Sequence, residues 1–281
     1  MLNVLRAKNT LLFLLAVGLF AVAFYPAFAT LALKWGASED YTHAFFTVPI
    51  ILYMLWVQRG ALSNGPGNAV LGLPLVVGSM LLYLFSLQLQ VPTVTFLATM
   101  LTIVGTIIYL SGTRVLRALA IPVLLLFLLI PIPNQLLSMF TAALQLKVSQ
   151  ASEWVAHLFA IPLFRDGNVL HLSDKTFQVV EACSGIRSLI SLSTLSLILG
   201  YFTLFRWWSI VLLLLFSVPV AIFINIVRVV SLVLVYEWFA IDLSEGIAHT
   251  VSGLVLFLLG LGLLVFFQRI LESWEAKKKR A

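Results

Sequence analysis

Three residues far apart in this chain have side chains suited to acyl transfer through a thiol. Cys183, the one cysteine present, lies in EACSGIRS at 181–188. A thiolate is a strong nucleophile, and its formation is favoured near a helix N-terminus, where unpaired N–H groups and the positive end of the helix dipole lie. The segment before Cys183 reads as extended and the segment after it as helical. Ser184 and Gly185 let the chain turn tightly, nearby N–H groups could hold an oxyanion, and Arg187 sits four residues on, with Glu181 just upstream. Arg228, with Asn225 three residues earlier on the same helix face, is a cation suited to a thiolate or a developing oxyanion. His249, in GIAHTVSG, has the chemistry of a general base and then acid for such a nucleophile. His43 in DYTHAFF, beside Glu39, Asp40 and Tyr41, is the strongest competing histidine; His157 and His171 fall on the same side. From residue types alone three plainer readings stay open: a buried inert cysteine, a snorkelling arginine and an interfacial histidine without a role.

The elements that must position these groups are set by composition. Of 281 residues, 62% are hydrophobic and 10% charged, with a mean hydropathy of +1.09. Soluble domains carry roughly 25% charged residues, so the bilayer is the solvent that suits this chain. Eight apolar stretches are expected to span, at about 10–33, 42–58, 69–88, 92–111, 116–133, 186–205, 208–235 and 250–268. The expected fold is an all-α polytopic membrane protein with about eight transmembrane helices, organised as one integral domain. Ala27-Phe28-Ala29 resembles a signal cleavage site, but the preceding apolar run is long for a signal peptide and is expected to remain as a span.

Charge gives an orientation. With the N-terminus inside, the cytoplasmic segments hold Arg6, Lys8, Arg59, Arg114, Arg117, Arg206, Arg269 and the tail Lys277, Lys278, Lys279, Arg280. The other face holds Lys34, Lys147, Arg165, Lys175, Arg187 and Arg228, so the 17 basic residues divide eleven to six. Both termini are therefore expected in the cytoplasm, with a basic tail at about 269–281. The net charge of +6 belongs largely to that tail and suits lipid headgroups rather than nucleic acid. On the outer face a segment at about 134–185 stands apart. Its first part has amphipathic helical spacing, expected along the membrane surface. Its second part has turn signals at Asp166-Gly167 and Ser173-Asp174-Lys175 that predict two or three short strands before the sixth span. Arg228 lies 20 residues beyond Trp208, or roughly 30 Å at 1.5 Å per residue, which brings it to the outer boundary level with Cys183 and His249.

At these residues the chain resembles the exosortase/archaeosortase family. The likeness rests on EACSGIRS at 181–188, NIVRVV at 225–230 and AHTVSG at 248–253, with DYTHAFF at 40–46 in addition. The resemblance implies a sortase-like cysteine transpeptidase of the inner membrane. Its substrates would be secreted proteins ending in a short motif such as Pro-Glu-Pro, a transmembrane helix and a basic cluster. By motif match Cys183 is the nucleophile, Arg228 the catalytic arginine and His249 the histidine. The remaining candidates, Glu181, Ser184, Gly185, Arg187, Asn225 and His43, are supporting. The acceptor that resolves a thioester is unnamed by the resemblance, and no metal or cofactor is called for. Two other classes compete: a transporter or lipid-handling channel with Arg228, Asn225 and His43 along a polar path, and a non-catalytic factor of an export system. A rhomboid-like serine protease is disfavoured by the lack of a GxSxG-type segment.

Overall fold

A computed structural model describes residues 14–38, 40–62, 66–179, 185–244 and 246–280. The chain is mostly helical with one small sheet, and it divides into two compact units, Met1–Pro131 and Ile132–Ala281.

The first unit contains α1 (Leu14–Ala23), α2 (Tyr25–Ala37), α3 (Ala44–Val57), α4 (Arg59–Leu62), α5 (Ala69–Leu89), α6 (Pro92–Ala118) and α7 (Ala120–Leu128). α1 and α2 meet at a 64° bend, beside Pro26 in the first turn of α2; proline is tolerated there but cannot continue the preceding hydrogen-bond ladder. α5 and α6 pack closely as an antiparallel pair. A Cβ added at Gly105 would lie 2.9 Å from Val76 Cγ2, and Ser79 Oγ bonds Thr102 Oγ1 at 2.9 Å between the helices. Small residues and hydroxyl pairs supply this contact because lipid offers no hydrophobic drive between apolar helices.

The second unit begins with α8 (Asn134–Leu158). Three strands follow, β1 (Phe164–Asp166), β2 (Val169–His171) and β3 (Thr176–Gln178), in the antiparallel order β1-β2-β3. Asp166 pairs with Val169, so the two-residue turn is Gly167-Asn168, one residue later than Asp166-Gly167. The left-handed φ of +61° falls on Gly167, where only glycine adopts it without strain, and that decides the register. Three helices complete the unit: α9 (Ile186–Thr203), α10 (Trp207–Phe239) and α11 (Gly246–Arg280). Leu170, Phe177 and Val179 of the sheet region are buried with Val148 and Ala156 of α8 and Val229 and Val233 of α10. That core fixes the sheet to one end of α10.

Among the described residues five helices are long and apolar enough to cross a bilayer, α5, α6, α9, α10 and α11, and a sixth is counted if α1 and α2 form one broken span. The chain is thus a multi-pass membrane protein, with five or six candidate spans where the apolar stretches suggested eight. With α1 and α2 counted as one broken span, the difference lies in two stretches. The one at 42–58 becomes the 14-residue α3. The one at 116–133 loses its first residues to α6 and keeps nine helical residues in α7. Nine residues rise only about 14 Å, against a hydrocarbon core of roughly 30 Å. The outward sides of the candidate spans carry large apolar groups, among them Leu81, Phe85, Leu215 and Leu258, as lipid contact requires.

Within the second unit the two ends of α9, α10 and α11 differ. At one end the carboxylate of Glu275, buried with 6% exposure, accepts from Phe205 N (2.8 Å) and Arg206 N (3.1 Å). It thereby caps the start of α10 across the α9–α10 corner. At mid-helix Ser193 Oγ and Ser217 Oγ bond each other at 3.0 Å. The other end carries Gly185, Asn225, Arg228 and His249. Glu275→Ala removes the acceptor for two main-chain donors at a buried corner. It is expected to lower stability by about 1–3 kcal/mol, with Glu275→Gln losing less, as read by thermal unfolding of the purified protein in detergent.

Candidate active site

The start of α9 is set by Gly185. Its φ is +81°, and a Cβ there would lie 2.9 Å from Asn225 Cγ. Both the backbone conformation and the contact therefore require glycine. Asn225 is buried at 3% exposure, so the start of α9 at Gly185 rests directly on α10, three residues before Arg228. The spacing of α9 agrees with a start at this point: Ile186 is its first residue and Gly185 its N-cap, with Gly185 O accepting from Leu189 N at 2.9 Å. Cys183, with Glu181 and Ser184, lies outside the described residues.

Arg228 of α10 and His249 of α11 are joined. Arg228 Nη2 lies 2.8 Å from His249 Nε2. A guanidinium has donors only, so Nε2 accepts, and the imidazole proton sits on Nδ1. Nδ1 in turn faces Leu243 O at 3.3 Å, the acceptor this tautomer needs. The histidine is thereby held neutral and oriented at both nitrogens. Room for the guanidinium comes from Gly253, one helical turn after His249, where a Cβ would stand 3.2 Å from Arg228 Nη2. Arg187, in the first turn of α9, is near enough to act on His249 electrostatically. Three helices thus contribute three basic groups to one end of the unit.

The carbonyl that orients His249 belongs to the connection between α10 and α11, and that connection is clamped. Asp242 Oδ1 accepts from Ser244 N at 2.8 Å and Ser244 Oγ at 2.5 Å. Asp242 Oδ2 is ion-paired with Lys175, at the turn between β2 and β3. The hydrogen bond from Lys175, with those from Ser244, holds the Asp242 carboxyl well below the usual carboxylate range, at about 2. Lys175 Nζ also lies 5.1 Å from the Tyr236 ring centroid, and Tyr236 OH donates to Asp174 Oδ2 at 3.3 Å. Lys175 at the hairpin turn thus holds Asp242, the chain neighbour of Leu243, whose carbonyl faces the histidine.

Of the residues singled out from the sequence, Gly185 with Asn225 and Arg228 with His249 meet in pairs at one end of the unit, with Arg187 close by. His43 belongs to the first unit. It precedes α3, its carbonyl accepts from Thr47 Oγ1 at 2.9 Å, and its Nε2 is buried without a hydrogen-bond partner. Gly253, Lys175 and Asp242 were not singled out. Gly253 had a readable signal, four residues after His249 on the same helix face. Lys175 and Asp242 had none, since each reads as an ordinary loop charge. Among the described residues no group of three or more His, Cys, Asp or Glu is placed to hold a metal ion.

The sequence model of the family described as Transmembrane exosortase (Exosortase_EpsH) matches residues 35–266. That match covers most of the chain, from before His43 to beyond Gly253. The chain belongs to the transmembrane exosortase family. No curated protein and no solved structure matches it. The family assignment spans both units, and the Arg228–His249 pair falls within the matched region.

Two outcomes follow for this end of the exosortase. Gly185→Ala is expected to shift the start of α9 and lower stability by about 1–2 kcal/mol, read as a lower melting temperature in detergent. The depressed Asp242 carboxyl contributes stability that is present above its ordinary value near 4 and is lost only as pH falls through about 2. Hydrogen exchange over residues 241–244 should therefore be equally protected, after correction for intrinsic rates, from about pH 8 to pH 7, a range above the ordinary histidine value near 6.5. In Asp242→Asn that protection should be weaker at every pH in the range.

Proposed function

We propose that this exosortase is a cysteine transpeptidase or peptidase that cleaves the C-terminal sorting signal of secreted proteins at the outer face of the inner membrane. The observation that carries the reading is the bond between Arg228 and His249 at the end of the helices where Gly185 docks on Asn225. Cys183 is two residues before Gly185 in sequence, and two residues of chain reach at most about 7 Å. The charged groups at this end of the unit gather around a histidine, while the mid-helix polar groups Ser193 and Ser217 bond each other. That distribution favours interfacial chemistry over a polar transport path, for which binding near the midplane is usual.

In this mechanism the Cys183 thiol gives its proton to His249 Nε2 as Arg228 turns its donor toward the substrate. The thiolate attacks the scissile carbonyl carbon, and the carbonyl oxygen becomes an oxyanion held by the Arg228 guanidinium and main-chain N–H groups. The C–N bond breaks, and the departing amine takes the proton from His249. An acceptor amine or water then attacks the thioester, and the thiol is regenerated. His249 has two tasks here, aligning the guanidinium at rest and carrying a proton during transfer. The Leu243 carbonyl stabilises the imidazolium through Nδ1–H, in the manner of the orienting group of a catalytic triad. The substrate's own membrane helix would present the cleavage site at the level of Cys183 while its basic end stays in the cytoplasm. Such anchoring raises effective concentration without a deep pocket. The basic residues toward the end of α11, Arg269, Lys277, Lys278, Lys279 and Arg280, support a cytoplasmic C-terminus.

The test is co-expression with a tagged secreted protein bearing the tripartite tail, with tail removal followed by immunoblot. Cys183→Ala is expected to abolish processing at unchanged membrane abundance. Arg228→Lys, which keeps charge but loses the planar fork, should lower the rate at least about tenfold. Processing that survives Cys183→Ala would overturn the nucleophile assignment and favour a non-catalytic role.

A further inference from the structure

Among the described residues the outer edge of β3 is unpaired, five residues before the proposed nucleophile in sequence. Leu172 N donates to Lys175 O at 2.8 Å and Val179 N to Asn168 O at 2.9 Å, with Leu170 opposite Phe177. Alternation along an antiparallel ladder turns the main-chain groups of Lys175, Phe177 and Val179 toward β2. Those of Thr176 and Gln178 then face away from it. Both residues are exposed, and their main-chain groups meet no partner among the described residues. Exposed edges are normally blunted by a charge, a proline or a bulge. β3 has none of these: its outward positions are Thr176 and Gln178, and the neighbouring Lys175 is tied to Asp242. The other face of β3 is committed, since Phe177 packs into the core with α8 and α10. Five residues after Gln178 comes Cys183, at most about 18 Å of chain.

We infer that the outer edge of β3 is the docking strand of the site, on which an extended segment of the polypeptide substrate pairs main chain to main chain next to its scissile bond. This rests on the peptide-transfer reading above. The occupant is argued from the edge itself. Two outward residues offer up to four hydrogen bonds, which an extended backbone complements irrespective of its side chains. So short an edge holds little alone, but a peptide already tethered by its membrane helix needs little more. The same pairing would fix the register of the scissile carbonyl against Cys183. The Lys175–Asp242 clamp ties the strand's first end to the loop that orients His249, so docking and catalytic groups share one frame.

The experiment uses the full-length membrane protein and a tagged reporter that the wild type processes. Cys183→Ala leaves the chain without cysteine, so Gln178→Cys in that background is its only thiol. Single cysteines are then stepped through the reporter residues flanking its cleavage site, and disulfides are trapped in intact membranes. The expected result is cross-linking at alternate positions, the period of a strand. Equal cross-linking at successive positions, no cross-linking, or only a dimer of this chain through Gln178→Cys would overturn the inference. In the active protein, Gln178→Pro removes an outward N–H and leaves every bond to β2 in place. It should slow processing at least tenfold at equal abundance, whereas Gln178→Ala should stay within about twofold of wild type. Wild-type processing by Gln178→Pro overturns the docking edge and leaves the Cys183 assignment standing. Processing that persists in Cys183→Ala overturns the peptide-transfer reading instead.

Discussion

A guanidinium on a membrane helix cannot shed its charge, and most features at one end of the second unit answer to that constraint. Arg228 lies on α10 among apolar neighbours and reaches the Nε2 of His249 on α11. A cation in such surroundings needs acceptors, because burial without them is far less favourable than exposure to water. The neutral imidazole supplies one acceptor without a second full charge. Its tautomer then requires an acceptor at Nδ1, which the Leu243 carbonyl provides. That carbonyl stays in place because Asp242 is bonded to Ser244 and Lys175. Gly253 completes the arrangement by leaving out the methyl group that would crowd the guanidinium. Each contact follows from the one before it.

Elements of the second unit are coupled to α10 and the loop after it at two places for different reasons. At Gly185 the coupling is steric, since a left-handed residue pressed against Asn225 admits no side chain. At Lys175–Asp242 it is electrostatic, at a half-exposed ion pair whose carboxyl is held near 2 by its donors. Exposed ion pairs alone contribute little to stability. This one matters because it holds a loop carbonyl in position for His249. The hydrophobic core shared by the sheet, α8 and α10 gives both couplings a common base.

Membership of the transmembrane exosortase family and the geometry of the pair bear on each other. The family assignment speaks for the whole matched region, whereas the contacts single out particular atoms within it. Together they motivate the cysteine-transfer proposal, in which Arg228 and His249 act as a unit rather than as separate acid and cation.

Much of this organisation was legible in the sequence. Composition alone required a multi-pass membrane protein, because 62% hydrophobic residues cannot be buried in a chain of this length. Glycine and aspartate at 166–167 announced a hairpin, and the intervals between Trp208, Arg228 and His249 put the latter two at one level. Span number was less legible: apolar runs at 42–58 and 116–133 look alike as composition. Where each helix ends depends on how α6 continues to Ala118 and where prolines follow α7. The site divides along the same line. Residue types and helical rise were enough to nominate Arg228 and His249. That they share a hydrogen bond, with the proton on Nδ1, follows only from how α10 and α11 pack. The Lys175–Asp242 clamp joins residues 67 positions apart, and no local pattern marks it, because a hydrogen bond across that interval is made by the fold and leaves no periodicity in the chain.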